Sequence, residues 1–207
     1  MAATSARELY DRIRIELGSS ASELGSVDAA VLRRIAGEEY RIIRSDRRSF
    51  ALLAARFAER GPAGSFFLGL AAGEGEALGL LGPYAAAVGL PPEELAAYRP
   101  APAAQCYPHY LAWLAQFGTL SQTVLALLAN FPSWSVTCAR LADTVGDEYG
   151  PEAAAFFRFF AELPPDFEPT TLALLRTALD EGESADDAAE AARLLQAYER
   201  SFWAAVR

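Results

Sequence analysis

Residues 31–57 read VLRRIAGEEYRIIRSDRRSFALLAARF and decide the fold of this chain. Large apolar side chains recur in this stretch near three-to-four spacing, with charged residues between them: Leu32, Ile35, Tyr40, Ile43, Phe50, Leu53 and Phe57. Such spacing puts side chains on one face of a helix, so the stretch predicts a long amphipathic helix. Ser26 or Asp28 would cap its start, because either side chain can accept a hydrogen bond from a free backbone N–H.

The rest of the chain repeats this periodicity between breaks made by glycine and proline. Helices are predicted near residues 5–17, 63–89, 104–117, 120–145, 151–162, 168–181 and 185–205. Gly61-Pro62, Gly150-Pro151 and Pro164-Pro165 fall between them, where a helix ends or begins. No run of β-branched residues alternates with polar ones for the length of a strand, so the predicted fold class is all-α. No repeat or linker divides the 207 residues, which predicts a single domain over residues 1–207.

Charge and composition exclude several classes of function. The net charge of -9 opposes binding to the phosphate backbone of nucleic acid. All 18 basic residues are arginine, so the chain has no lysine for a Schiff base or a P-loop. Cys106 and Cys138 are expected to be free thiols, because a chain with 52% hydrophobic residues can build its core without a disulfide.

The sequence shows no sign of export or of a membrane span. Its first residues, MAATSARELYDRIRIELG, alternate in charge and lack the apolar run of a signal peptide. No apolar stretch approaches the roughly 20 residues that cross a bilayer. We therefore expect a cytoplasmic protein that binds neither a membrane nor nucleic acid.

Three segments carry a family resemblance. The last predicted helix closes with Tyr198-Glu199-Arg200-Ser201-Phe202-Trp203, which reads Tyr-Glu-x-x-Phe-Trp. Upstream, Pro100-Ala-Pro102-Ala-Ala-Gln105-Cys106-Tyr107 leads into a helix, and Glu38-Glu39-Tyr40 lies in the first quoted stretch. These segments resemble the terminal motif, the proline-marked entry to the tyrosine helix and the early Gln-Asp-Tyr segment of the TenA/THI-4 (thiaminase II-like) family, within the haem-oxygenase-like superfamily.

The resemblance implies a bundle of about seven or more helices around a central small-molecule cavity, commonly in homo-oligomers. TenA enzymes hydrolyse thiamine or aminopyrimidine derivatives. Other proteins of the same fold are the cofactorless oxidase of PQQ biosynthesis and di-iron oxidases. Because one fold supports several activities, the site residues must choose among them.

The resemblance also assigns roles to individual residues. Glu199 matches the terminal catalytic glutamate and is the candidate acid-base group, since a carboxylate among aromatic rings can exchange a proton with a leaving group. Glu39 stands where the family has an aspartate that binds the amino-pyrimidine edge, and Tyr107 matches an active-site tyrosine. The other candidates for substrate binding are Asn130, Trp134, Tyr40 and Phe202. For each residue the alternative is an ordinary structural role in the core or at the surface.

The chain departs from the family at the nucleophile. The family's central helix carries a cysteine, and the register set by Ala126-Leu-Leu-Ala129 puts Asn130 in its place. An amide cannot form the covalent adduct. Matching Phe131-Pro132 instead brings Ser133 to that point, with no histidine nearby in sequence to activate it, and Cys138 lies further along the helix. Thiaminase II activity is therefore not expected, and whether Ser133 or Cys138 replaces the nucleophile is left open.

Neither a metal nor a cofactor is expected. The single histidine, His109, cannot supply the several histidines of a di-iron site or the proximal ligand of a haem oxygenase, and Glu74 and Glu76 have no histidine partner. The sequence favours a metal-free enzyme that acts by acid-base catalysis on an amine-bearing or nitrogen-heterocyclic metabolite, through hydrolysis, elimination or rearrangement. The alternative is a non-catalytic ligand-binding or partner subunit of the same fold. We expect a homo-oligomer, or a complex with a related partner subunit.

Overall fold

The computed structural model describes residues 5–18 and 27–207, and every regular element within these ranges is helical. The α-helices are α1 (Ala6–Leu17), α2 (Ala29–Arg56), α3 (Ala63–Ala87), α4 (Pro92–Ala97), α5 (Cys106–Phe117), α6 (Leu120–Tyr149), α7 (Pro151–Ala161), α8 (Phe167–Asp180) and α9 (Ala185–Val206). A 3₁₀ helix, Pro102–Gln105, leads directly into α5. The all-α prediction is confirmed. Among the described helices, none has the length and hydropathy needed to cross a bilayer.

Capping side chains and glycines set the ends of the long helices. Asp28 caps α2, where its carboxylate accepts a hydrogen bond of 2.8 Å from the Val31 N–H. The other candidate cap, Ser26, lies outside the described residues. Thr119 opens α6 in a capping box with Gln122. Gly150 follows the last residue of α6 with a φ of 89°, a conformation that glycine adopts without strain.

Two segments differ from the prediction. The sequence does not predict α4, because Pro91-Pro92 suggests a loop. Pro92 occupies the first turn of this short helix, where a missing N–H removes no helical hydrogen bond. Helix α6 continues past the predicted end at residue 145 as far as Tyr149, because Gly146 lies inside the helix and only Gly150 ends it.

Two hydrophobic clusters fill the interior, and α2, α3, α6 and α9 contribute to both of them. One cluster includes Leu111, Leu127 and Leu195, and the other includes Tyr84 and Trp203. Full burial of a large apolar side chain contributes about 1.5–3 kcal/mol. The hydroxyl of the buried Tyr84 donates a hydrogen bond of 2.7 Å to the carbonyl of Leu32, so its polar atom is satisfied. Packing in the two clusters therefore holds the long helices in position around a cavity.

Candidate functional site

A cavity of about 630 Å³ is lined by residues of α2, α3, α5, α6, α7, α8 and α9. Its volume lies within the range of roughly 300–1,000 Å³ that small-molecule sites occupy. Residues on its outer side are exposed to solvent: Pro62, Ser65, Glu162, Pro164 and Asp166. Residues on its inner side are buried: Glu39, Ile42, Asp46, Asn130, Ser135, Glu199 and Phe202. A small molecule can thus reach a buried polar interior.

Helices α2 and α3 supply three carboxyl groups to one part of the cavity, which we call the acidic wall: Glu39, Asp46 and Glu74. Glu39 and Asp46 are seven residues apart, which places them on the same face of α2. Leu70 and Glu74 are four residues apart and share a face of α3 in the same way. Within the described ranges, no group of three or more His, Cys, Asp or Glu residues has the arrangement of a metal site.

Loss of contact with water raises the pKa of all three carboxyls of the acidic wall. Burial raises the pKa of Glu39 well above its ordinary value, and the charges of Glu74 and Glu38 add to the effect. Burial acts in the same way on the pKa of Asp46, followed by the charges of Glu74 and Glu39. Burial raises the pKa of Glu74 to about 8. Ionisation of each group is therefore less favourable than in an exposed carboxyl, and Glu74 keeps its proton at neutral pH.

Tyr107 lies in the first turn of α5 and joins the acidic wall to the rest of the cavity. Burial raises the pKa of its hydroxyl well above the ordinary value, and the charges of Asp46, Glu74, Glu199 and Glu39 raise the pKa further. These influences show that the hydroxyl lies within electrostatic reach of both the acidic wall and Glu199. Tyr107 is consequently a neutral phenol that can donate a hydrogen bond to a ligand.

Glu38 fixes the segment that leads into α5. Its buried carboxylate accepts hydrogen bonds from the Ala101 N–H at 2.7 Å, Gln105 Nε2 at 2.6 Å and the Tyr98 hydroxyl at 3.2 Å. Three donors satisfy a charge that would otherwise destabilise the interior. Successive residues of a helix differ in direction by about 100°. Glu38 therefore holds this segment while the adjacent Glu39 faces the cavity.

Three N–H donors hold the carboxylate of Glu199 on α9. Its Oε1 accepts a hydrogen bond of 3.0 Å from Trp203 Nε1, and its Oε2 accepts one of 2.8 Å from Gln196 Nε2. Oε2 also accepts a hydrogen bond from Asn130 Nδ2, which reaches across from α6. Only 4% of the Glu199 surface is exposed. These hydrogen bonds fix the direction in which the carboxylate points.

Aromatic rings form the surface beside Glu199. The Trp134 ring stacks on Trp203 with 5.4 Å between ring centroids. It also forms T-shaped pairs with the rings of Phe160 and Phe202, each with 6.1 Å between ring centroids. Trp134, Phe160 and Phe202 all line the cavity. Flat apolar surfaces of this kind suit a planar ligand.

The sequence model of the TENA/THI-4/PQQC family matches residues 23–207. The chain belongs to this family. The match covers every residue of the cavity, from Glu39 on α2 to Phe202 on α9. The resemblance drawn from the three short segments is therefore confirmed over most of the chain.

Two solved structures share the fold. A TenA homolog from Pseudomonas syringae pv. tomato str. DC3000 has a TM-score of 0.71 and 14% sequence identity, over 99% of this chain and 86% of that one. A domain of unknown function with a haem-oxygenase-like fold from Shewanella denitrificans OS217 has a TM-score of 0.70 and 16% identity, over 97% of this chain and 88% of that one. These similarities confirm the haem-oxygenase-like fold. No curated protein matches the sequence significantly.

The cavity of this TenA/THI-4 family member gathers most of the residues singled out from the sequence: Glu39, Tyr107, Asn130, Trp134, Glu199 and Phe202. Tyr40 is not among the residues that line it. The Tyr40 hydroxyl accepts a hydrogen bond of 2.6 Å from Arg44, and the Arg44 guanidinium lies 5.0 Å from the ring. Tyr40 follows Glu39 directly on α2, so the two side chains point in different directions. The suggested contact between Tyr40 and substrate is thus not supported by its position.

Of the three candidates for the family's nucleophile position, only Asn130 lines the cavity. Ser133 and Cys138 are both buried and lie outside the lining. Burial raises the pKa of the Cys138 thiol well above its ordinary value, and the charges of Glu39 and Glu199 add to this. A protonated thiol without access to the cavity is a poor nucleophile.

Sequence reasoning missed Asp46, Ser135 and Gln196, and it considered Glu74 only as a metal ligand. A signal for Asp46 was present. Asp46 is three residues after Ile43 and four before Phe50, so it interrupts the apolar stripe of α2 with a charge. A carboxyl group in such a stripe is either paired in the core or functional.

Proposed function

We propose that this chain is a metal-independent enzyme that acts by acid-base catalysis on an amine-bearing or nitrogen-heterocyclic metabolite. The reaction would be a hydrolysis, an elimination or a rearrangement. The observation that carries the proposal is the Glu199 carboxylate, oriented by Asn130, Gln196 and Trp203 at the wall of a cavity of small-molecule size. Membership of the TENA/THI-4/PQQC family supports a small-molecule enzyme.

Glu199 is the proton-transfer group in this proposal. Its carboxylate takes a proton from the substrate or from an attacking water, and the same carboxyl group returns that proton to the leaving atom. Positioned proton transfer of this kind accelerates reactions by roughly 10²–10⁴-fold. The hydrogen bonds from Gln196 and Trp203 keep the group in one orientation, which lowers the entropic cost of the transfer.

Glu39 and Tyr107 bind the nitrogen-bearing edge of the substrate in this proposal. The Glu39 carboxyl accepts hydrogen bonds from an amine, and the neutral Tyr107 hydroxyl donates one to a ring nitrogen or an oxygen. The rings of Trp134 and Phe202 pack against the plane of the substrate. Glu39 is one methylene longer than the aspartate of the family pattern, which favours a substrate of different shape.

The chemistry proposed here needs no covalent intermediate. Asn130 takes the family's cysteine position in the register that is consistent with its place in the cavity, and an amide is not a nucleophile. Its side chain supports the Glu199 carboxylate instead. Proton transfer and positioning remain available to this site without the cysteine.

Metabolite capture followed by one substitution tests the proposal. The purified protein is incubated with a small-molecule extract, and the molecules that it retains and converts are identified by mass spectrometry. Glu199→Gln should then lower kcat about 100-fold or more while binding persists, because glutamine keeps the shape but cannot carry the proton. Glu190→Gln, at an exposed position of the same helix, is the control and should keep full turnover.

Two outcomes would contradict the proposal. Unchanged turnover in Glu199→Gln would remove Glu199 as the proton-transfer group. A retained molecule that the wild-type protein binds but never converts would favour the non-catalytic ligand-binding subunit.

A further inference from the structure

Acidic side chains line the cavity, and basic ones do not. Its lining includes six acidic residues: Glu39, Asp46, Glu74, Glu162, Asp166 and Glu199. No arginine or histidine is among the described residues that line it. The exposed Glu162 and Asp166 extend this acidic lining to the outer side of the cavity. A carboxyl group that ionises next to a cation interacts favourably with it, and no basic side chain of the lining opposes the cation, so the lining favours a cation.

Two buried polar atoms of the cavity wall have no hydrogen-bond partner: Asp46 Oδ1 and Ser135 Oγ. Asp46 is 3% exposed and Ser135 is 7% exposed, and both residues line the cavity. Buried polar atoms in folded proteins nearly always have a hydrogen-bond partner, so two unpartnered atoms at a cavity wall are candidates to bind a ligand. Ser135 belongs to α6 and lies outside the acidic wall, so it is a sign of a ligand independent of the carboxyl cluster.

Apolar side chains surround the rest of the space. They come from α3, α7, α8 and the segment between α7 and α8: Phe66, Leu70, Phe159, Phe160, Leu163 and Phe167. This arrangement suits a molecule with an apolar body and a charged end, because each part then meets a surface of matching polarity.

We infer that the cavity binds an organic cation with an apolar body, and that its ammonium or amidinium group lies against Asp46 and Glu74 of the acidic wall. This inference deepens the proposed function and rests on it for the cavity being the substrate site. An ammonium group has three N–H donors and no acceptor, which matches a wall of carboxyl oxygens that includes the unpartnered Asp46 Oδ1. The described residues include no arrangement of a metal site, so an organic cation fits the wall better than a metal ion.

Cation binding at this wall has a second consequence. In the free protein the carboxyl group of Glu74 holds a proton at neutral pH, because burial raises its pKa to about 8. A cation within hydrogen-bond reach favours the ionised carboxylate. The amine therefore enters as a cation and displaces a proton to the buffer, which a calorimeter can count.

Isothermal titration calorimetry at pH 7 with matched probes tests the inference. The probes are 2-phenylethylamine and n-hexylamine, each compared with the neutral alcohol of the same shape, 2-phenylethanol and 1-hexanol. The amines should bind at least about 10-fold more tightly than the alcohols. Asp46→Asn and Glu74→Gln should each remove most of this preference and leave the affinity for the alcohols unchanged. Glu76→Gln, at an exposed position of α3 outside the cavity, is the control and should have no effect.

The proton count is a separate readout. Titration of the wild-type protein with 2-phenylethylamine in phosphate and in Tris should give heats that differ, because these buffers take up a released proton with different enthalpies. The difference should shrink in Glu74→Gln, where the carboxyl group that releases the proton is absent. Asp46→Asn and Glu74→Gln each replace a carboxyl by its uncharged isostere, and far-UV circular dichroism verifies the fold of each variant.

The inference is overturned if amines bind no more tightly than alcohols, if no amine binds, or if Asp46→Asn lowers both affinities alike. Thermal stabilisation by Mg²⁺ or Zn²⁺ without any by the amines would also overturn it, in favour of a metal ion. Glu199→Gln separates the inference from the proposed function. If amines are still preferred but turnover does not depend on Glu199, only the proposed function is refuted. If turnover depends on Glu199 but amines are not preferred, only the inference is refuted.

Discussion

The side-chain amide of Asn130 on α6 donates a hydrogen bond to the carboxylate of Glu199 on α9. The two residues are 69 positions apart in sequence and meet at the wall of one cavity. In the register adopted above, Asn130 takes the position of the family's nucleophilic cysteine. Asn130, which departs from the family pattern, therefore contacts Glu199, which matches the family's terminal glutamate.

This contact predicts an energetic coupling between Asn130 and Glu199. Asn130→Ala should lower the free energy of unfolding by about 1–3 kcal/mol, because a buried carboxylate loses a donor. In a double-mutant cycle with Glu199→Ala, the coupling should exceed about 0.5 kcal/mol. Urea unfolding followed by circular dichroism measures both quantities. As the control, the effects of Asn130→Ala and of Glu190→Ala, at an exposed site on α9, on the free energy of unfolding should be additive. Additive effects of Asn130 and Glu199 would show that the hydrogen bond contributes nothing.

The second prediction concerns thiamine. Wild-type protein should cleave it far more slowly than a median enzyme acts on its substrate, which is on the order of 10 per second, because Asn130 cannot form the covalent adduct. Asn130→Cys tests the register by placing a thiol beside Glu199, and a gain in cleavage is expected. Loss of thiamine is followed by liquid chromatography. Cys138→Ser is the control and should change nothing, since Cys138 lies outside the cavity lining. Fast cleavage by the wild type would place the nucleophile elsewhere.

The helices could be predicted because their signals are local. Apolar spacing, caps and breaks lie within a few residues of each other, and the predicted segments match α1 and α9 to within one residue at each end. No such signal predicts the acidic wall. The proximity of Glu39 and Asp46 to Glu74 depends on how α2 and α3 pack together. Tyr40 shows that proximity in sequence can also mislead. Its position next to Glu39 in sequence suggested a shared role, but neighbouring positions of a helix point in different directions. The single domain and the homo-oligomer stay predictions.

The acidic wall predicts that stability falls as the pH rises. Glu74 ionises with a pKa near 4.5 when unfolded and about 8 when folded, so between these values the folded state holds the extra proton. Stability then decreases with pH across this window. Glu74→Gln mimics the protonated side chain. At pH 8 it should melt at least about 2–4 °C above the wild type, the shift that 1 kcal/mol gives in a chain of this size. At pH 4.5 the two melting temperatures should agree.

Differential scanning calorimetry from pH 4.5 to pH 8 measures this dependence. Glu76→Gln should follow the wild-type curve, because Glu76 is exposed on the same helix. Equal melting temperatures for Glu74→Gln and the wild type at pH 8 would contradict the raised pKa. Residues that lower the stability of a protein are commonly retained because they serve its function. The function proposed for the acidic wall is ligand binding.

The last prediction concerns Glu38, which positions the approach to Tyr107. Its carboxylate satisfies the Ala101 N–H, the Gln105 amide and the Tyr98 hydroxyl. Glu38→Ala leaves these donors without their acceptor, and a hydrogen bond to a charged group contributes about 1.5–3 kcal/mol. The Ala101 amide should therefore exchange with solvent deuterium at least about 10-fold faster, since local opening becomes easier. Glu39→Gln is the matched control, because the adjacent side chain faces the cavity and should leave this exchange rate unchanged. Unaltered exchange in Glu38→Ala would mean that other contacts hold the segment and that Glu38 does not position Tyr107.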